Sequence, residues 1–166
     1  VQDYLIDLAL EVATMGVDEV QLDYVRFPTE GDVSAAVYSV DTSTPTKPTV
    51  ITQFVRRVRE ALDGKVLLSA DIFGVVAWGR EVDIENTGQK LDELLPLIDV
   101  VSPMLYPSHF YGSFHHADNP AAYPYYIVYQ TCRQLLPQAE HHGVGVRPWV
   151  QAVPYRTPNF DVTYVE

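Results

Sequence analysis

Residues 17–28 read VDEVQLDYVRFP. Val20, Leu22 and Tyr24 alternate with Gln21, Asp23 and Val25, the period of two expected of a β-strand. The turn after this strand decides the fold. A doubly wound nucleotide-binding sheet announces itself by a glycine-rich turn after its first strand. Here the turn is Arg26-Phe27-Pro28-Thr29, without glycine, and no Walker-type sequence occurs in the chain. The strand instead ends in a carboxylate, Asp23, and a guanidinium, Arg26. Parallel barrels build their sites from such strand ends.

Three further strands obey the same rule: VLLSADIFGVV (66–76), IDVVSPMLYP (98–107) and VGVRPWVQAV (144–153). At or just past their ends stand Asp71, then Tyr106, Ser108 and His109, then Trp149 and Gln151. Helical periodicity fills the intervals. Residues 2–15 place Tyr4, Leu5, Leu8, Val12 and Met15 on one face, and Gly16 stops them. Residues 50–62, capped by Thr49, turn Ile51, Phe54, Val55, Val58 and Leu62 towards a core. Further helices are expected at 88–96, ending at Pro96, and at 124–142, ending before Gly143. Residues 29–49 read as a long polar loop, and the tail PYRTPNFDVTYVE as the start of one more helix.

Strands alternating with helices imply right-handed crossovers and a parallel sheet. The expected fold is α/β, of the (β/α)8 TIM-barrel type. A whole barrel takes about 250 residues, with 200 the usual minimum. At 166 residues the chain holds about four β/α units, a partial barrel forming a single domain over 1–166. The start at Val1 fits a piece of a longer protein. An open half-barrel would expose sheet edges and its inner face, which favours self-association.

Composition excludes several roles. Eleven Lys and Arg against 22 Asp and Glu give a net charge of −11. Such a chain has no cation surplus to displace phosphate counterions, so nucleic acid is not an expected partner, and anionic membranes are disfavoured. No apolar run approaches the roughly 20 residues of a transmembrane segment. Cys132 is the only cysteine, which excludes an intrachain disulfide and a cysteine-rich zinc site. Of 11 Tyr and 12 Pro, many sit together just after apolar runs, at 24–28, 103–107, 123–126 and 148–155. Aromatic, proline-rich loops suit flat ligands with apolar faces and polar edges, such as sugars.

The chemistry converges on two carboxylates. Asp23 shares a strand face with Gln21, and Asp71 with Ser69. Adjacent parallel strands lie about 4.8 Å apart, so two inward aspartates at matched height stand roughly 5–8 Å apart, the range used for glycoside hydrolysis. One carboxylate then serves as nucleophile and one carboxyl as acid/base, and no cofactor or metal is needed. Arg26 can keep Asp23 ionised or bind substrate. The plainer alternative stays open: Asp71 caps a turn and Asp23 pairs with Arg26. His109 reads as a hydroxyl ligand, a proton-transfer group or a surface histidine. Trp149 and Trp78 each read as a sugar-stacking ring or a core filler. The pairs His115-His116 and His141-His142 lack surrounding ligands in a metal pattern and are read as solvated.

VDEVQLDYVRFP (17–28), LSADIFG (68–74), IDVVSPMLYPSHF (98–110) and VRPWVQAV (146–153) together resemble a bacterial family of glycosyl hydrolases of unknown function. The resemblance covers nearly the whole chain and implies a barrel related to the α-amylase-like glycosidases, with these as strands four to seven. It implies Asp23 as nucleophile and Asp71 as acid/base, a position commonly held by Glu. One departure stands out. The family often has Gln-Asp near the last motif's Pro-Trp, where this chain has Gln151-Ala152.

The expectation is a glycoside hydrolase acting on a polysaccharide or cell-envelope glycan. Asp23 and Asp71 are its catalytic pair, and Arg26, Tyr106, His109, Trp149 and Gln151 line the subsites. Its alternatives are a carbohydrate-binding barrel without turnover and a metal-dependent hydrolase built on Asp23, Asp71 and His109. Localisation stays open, with an envelope glycan favouring the extracellular side or the cell envelope.

Overall fold

A computed structural model describes residues 1–39, 42–110, 114 and 119–152, together with the backbone of 156–157 and 160–161. Its centre is a parallel sheet in chain order. Strand β1 (Glu19–Leu22) pairs with β2 (Leu67–Phe73), and β2 with β3 (Val100–Leu105). Two short segments, β4 (Gly145–Val146) and β5 (Trp149–Val150), both pair in parallel with β3. The expected fourth strand is split at Arg147-Pro148. Arg147 holds the register there by donating its N–H to the Val101 carbonyl at 3.0 Å.

The helices are α1 (Gln2–Thr14), α2 (Lys47–Leu62), α3 (Glu81–Thr87), α4 (Leu91–Leu94) and α5 (Pro124–His141). Alternate residues of the strands divide cleanly. Leu68, Ile72, Val101 and Leu105 are fully buried and join Val55, Val58, Leu62, Ile127 and Leu135 of α2 and α5 in one core. Burying each such aliphatic side chain contributes roughly 1.5–3 kcal/mol. The opposite face of the sheet is polar. Ser69 donates to Glu19 at 2.5 Å, Gln21 donates to Asp71 and Ser102, and Arg147 forms an ion pair with Glu19. The last contact joins the first and last positions of the sheet, so the sheet is curled with this face concave.

The polar loop at 29–49 is shorter than expected. It carries a short 3-10 turn at Val33–Ala35, and α2 begins at Lys47 with Thr46, not Thr49, as its cap. Pro48 sits in the first turn of α2, where a missing N–H costs little. The helix expected at 88–96 is shorter: α4 spans Leu91–Leu94 and runs into a 3-10 turn at Leu95–Leu97. Gly88, at φ +77°, separates it from α3, a helix the sequence pattern does not mark. On α1 the buried stripe is Ile6 and Ala9 with Leu10 and Ala13 packed behind them, whereas Tyr4, Leu5, Leu8 and Met15 are exposed. Both stripes obey helical spacing, and only the packing against the sheet distinguishes them. At 156–157 and 160–161 the backbone forms a short antiparallel pair rather than the expected helix. No helix among the described residues is long and apolar enough to cross a membrane.

Candidate active site

Asp71 is the centre of the polar face. It lies near the C-terminal end of β2, level with Ser102 on β3, and is 6% exposed. Gln21 and the Trp149 indole both donate to its Oδ1, the latter at 3.2 Å. Asp23 lies one residue past the end of β1 and is exposed. The next residue, Tyr24, adopts a left-handed conformation with φ +56°. This turn brings the Tyr24 N–H onto Asp23 Oδ1 at 2.7 Å. A left-handed conformation at a tyrosine is strained, and such strain clusters at functional sites.

The two aspartates act on each other. Burial raises the Asp71 pKa above the usual carboxylate value, and the Asp23 carboxylate beside it raises it further, both by charge and by accepting a hydrogen bond. The donors Trp149 and Gln21 oppose this rise. The balance favours the protonated form of Asp71 more than in a free carboxyl, with Asp23 as the neighbour that drives part of the rise. Tyr106 faces the same pair. Its phenol is pushed up by burial first, then by the charges of Asp71 and Asp23.

Beside the aspartates lies a small cleft of about 50 Å3, lined by Tyr24, Arg26 and Glu30 after β1, Phe73 at the end of β2, and Tyr106 and His109 after β3. Arg26 does not pair with Asp23. Its Nη1 donates to the Phe27 carbonyl at 3.0 Å and to Thr29 Oγ1 at 3.4 Å, and its guanidinium lies over the Phe73 ring at 4.2 Å. His109 packs edge-on against Tyr106, with ring centroids 5.5 Å apart, and its Nδ1 is 3.0 Å from Ser108 Oγ. Burial lowers its pKa, and the charge of Glu30 partly restores it. Gln151 accepts from the Ser108 hydroxyl at 2.8 Å and from the Ser108 N–H at 3.3 Å. Trp149 is 46% exposed, while Trp78 donates to Thr131 at 2.9 Å and packs edge-on against Phe114. Of the two tryptophans, Trp149 therefore stands at the site and Trp78 belongs to the core.

One residue that underpins this geometry is not singled out by any sequence pattern. Gln89 is 2% exposed. Its amide donates to the carbonyls of Val25 at 3.2 Å and Asp71 at 3.1 Å, and accepts from the Phe73 N–H at 2.9 Å. One side chain thus fixes the loop after β1 against the end of β2. Only its place after a left-handed glycine hints at this in the sequence. Gln21 and Ser102 share the face of the aspartates, and their alternation with apolar residues is the signal that could have found them.

The remaining histidines stand apart. His141 and His142 stack edge-on at the end of α5, and His115-His116 lies outside the described residues. Among the described residues no three His, Cys, Asp or Glu side chains gather as a metal site, so Asp23, Asp71 and His109 do not form a ligand set.

A family described as "Putative glycosyl hydrolase domain" matches residues 1–166. The chain belongs to this glycosyl hydrolase family. A solved structure, the glycoside hydrolase domain of PgaB (BpsB) from Bordetella bronchiseptica, is similar in fold to this family member. The TM-score is 0.52 at 15% identity, over 86% of this chain and 44% of that one. This glycosyl hydrolase domain therefore spans less than half the length of that chain. No curated protein matches it. The parallel sheet with helices on one face, curled around a polar concave side, is consistent with a partial barrel of this type.

Proposed function

We propose that the domain hydrolyses glycosidic bonds of a polysaccharide or cell-envelope glycan by a paired-carboxylate mechanism. The observation that carries this reading is the juxtaposition of a buried Asp71, whose pKa is raised by burial and by Asp23, with an exposed partner in Asp23. Two carboxyl groups in such unlike surroundings divide the labour of acid and nucleophile. Asp71 protonates the leaving oxygen. Asp23, held by the Tyr24 N–H, attacks the anomeric carbon, and Asp71 then takes a proton from the water that releases the sugar. Trp149 offers an exposed ring face beside Asp71, and Tyr106 and His109 line the adjoining cleft. Arg26 binds and orients substrate, and Gln151 holds the loop of Ser108 from the opposite rim.

In this reading the four β/α units are strands four to seven of an eight-stranded barrel, and 1–166 form one domain. The test replaces Asp23 with Asn in the full-length protein and assays hydrolysis over a glycan panel. Loss of turnover by about two orders of magnitude or more is expected from the usual contribution of such a group. Full retained hydrolysis removes the nucleophile assignment.

A second reading, a carbohydrate-binding barrel without turnover, is favoured by Gln151-Ala152, where the family often carries an acid. Calorimetric binding of an oligosaccharide with no product released on long incubation would select it.

A further inference from the structure

Arg26 is a cation without a counter-charge among the described residues. The chain carries 22 acidic residues against 11 basic ones. Arg57, Arg59, Arg80, Lys90 and Arg147 each meet a carboxylate. Arg26 does not. Of its five N–H donors, only those on Nη1 are used within the described residues, and both acceptors are neutral. Its Nε is sealed from solvent without a hydrogen-bond partner there. The guanidinium is clamped between aromatic faces, 4.2 Å from the Phe73 centroid and 4.9 Å from that of Tyr24.

A partly buried charge without a matching anion is costly to a fold. Asp23 is only three residues away, and its carboxylate is turned to the Tyr24 N–H instead. Glu30, on the same cleft, is exposed, and its charge bears on His109. The fork is therefore held in the cleft beside the aspartates with Nη2 unused and no carboxylate on it among the described residues. A planar carboxylate is the chemical match for such a fork.

We propose that Arg26 recognises a carboxylate-bearing sugar unit, so that the substrate is an acidic glycan containing hexuronate residues. This rests on the glycosidase reading for the identity of the cleft. The hexuronate carboxylate docks on the Nη2 edge of Arg26 while its ring lies against the exposed Tyr24. The neighbouring glycosidic oxygen is thereby presented to Asp71. The carboxylate sits on the Arg26 side of the cleft, and the raised pKa of Asp71 lessens the repulsion from the aspartate pair.

The test is calorimetric binding of gluco-, galacto- and mannuronate oligosaccharides and of their carboxyl-reduced counterparts at low salt. At least one oligouronide is expected to bind about tenfold or more tighter than its reduced form, the strength of a charge-assisted hydrogen bond. Arg26→Met should abolish that preference while leaving the thermal transition in place. Arg26→Lys, which keeps the charge but loses the fork, should retain only part of it. Equal binding of acidic and reduced forms, binding of neither, or a preference that survives in Arg26→Met overturns the proposal. The two readings fail separately. Hydrolysis of the reduced oligosaccharides without acidic preference leaves the glycosidase standing and removes the hexuronate. Arg26-dependent binding of an oligouronide without any product does the reverse.

Discussion

The Trp149 indole N–H donates to Oδ1 of Asp71 at 3.2 Å, joining segments that lie on either side of β3 in the sheet. The bond ties the exposed ring at the rim to the protonation state of the buried carboxyl. It favours the ionised form of Asp71 and so opposes the rise that burial imposes. Trp149→Phe keeps a ring but removes the donor. The Asp71 carboxyl should then titrate at higher pH than in the unaltered protein, which carboxyl-carbon NMR reads directly. The alkaline limb of the kcat/KM profile should move in the same direction. An unchanged Asp71 titration would contradict this role for the indole.

Asp71→Asn should separate activity from stability. A carboxyl whose folded pKa is raised contributes stability that is present below its unfolded value and lost as pH rises through the folded one. Near neutral pH the folded state therefore bears the cost of ionising Asp71. Asparagine keeps an oxygen for Gln21 and Trp149 and offers an N–H to Asp23. The variant should melt higher at pH 7, by about 2–4 °C for each kcal/mol of relief, and the gain should vanish at acid pH. Turnover should fall by roughly 10²–10⁴. Calorimetric melts at about pH 4 and pH 7 provide the check.

Gln89→Leu should cost about 2–4 kcal/mol in urea denaturation, because it strands two carbonyls and one N–H in the interior. If the variant folds, kcat should drop more than KM rises, since the loop carrying Asp23 loses its tether to β2. A loss confined to stability would reduce Gln89 to a packing residue.

Gly74 comes just after β2, where the chain passes under β3. A Cβ there would lie 2.5 Å from the Met104 carbonyl oxygen and 2.8 Å from the Phe110 ring. Backbone cannot yield as a side chain does, so Gly74→Ala should destabilise by about 1–3 kcal/mol. Gly79 has open space at the same atom, although its φ of +67° strains any side chain. Its alanine variant should therefore be limited to a backbone penalty of about 1–2 kcal/mol. Comparing the two melts separates crowding from strain.

Arg147→Ala should change stability little, since its pair with Glu19 is half exposed on the arginine side. The small loss should shrink further in high salt.

The fold is legible in the sequence where the period is unambiguous. The alternation in LSADIF separates Leu68, Ala70 and Ile72 from Ser69 and Asp71, and the structure sorts them to opposite faces. The core face of α2 is equally plain, because Ile51, Phe54, Val55, Val58 and Leu62 allow one stripe only. Helix α1 is not, since it carries two apolar stripes and the sheet decides between them. A spacing of three makes Arg26 look like a partner for Asp23. The left-handed turn at Tyr24 rotates the two apart, and nothing local announces that turn. The contacts of Gln89 join residues 64 and 18 positions away, beyond the reach of any local pattern.

The two-faced β2 also bears on how such a chain can change over time. Inserting or deleting one residue before Asp71 would turn the carboxylate into the aliphatic core and Leu68 or Ile72 into the cleft. Both function and folding would fail in one step, with no viable intermediate length. The segments after the strands have no such parity to keep. Lineages of this domain should therefore differ in length after Pro28 and Phe110 and keep an invariant residue count from Glu19 to Asp23 and from Leu67 to Phe73.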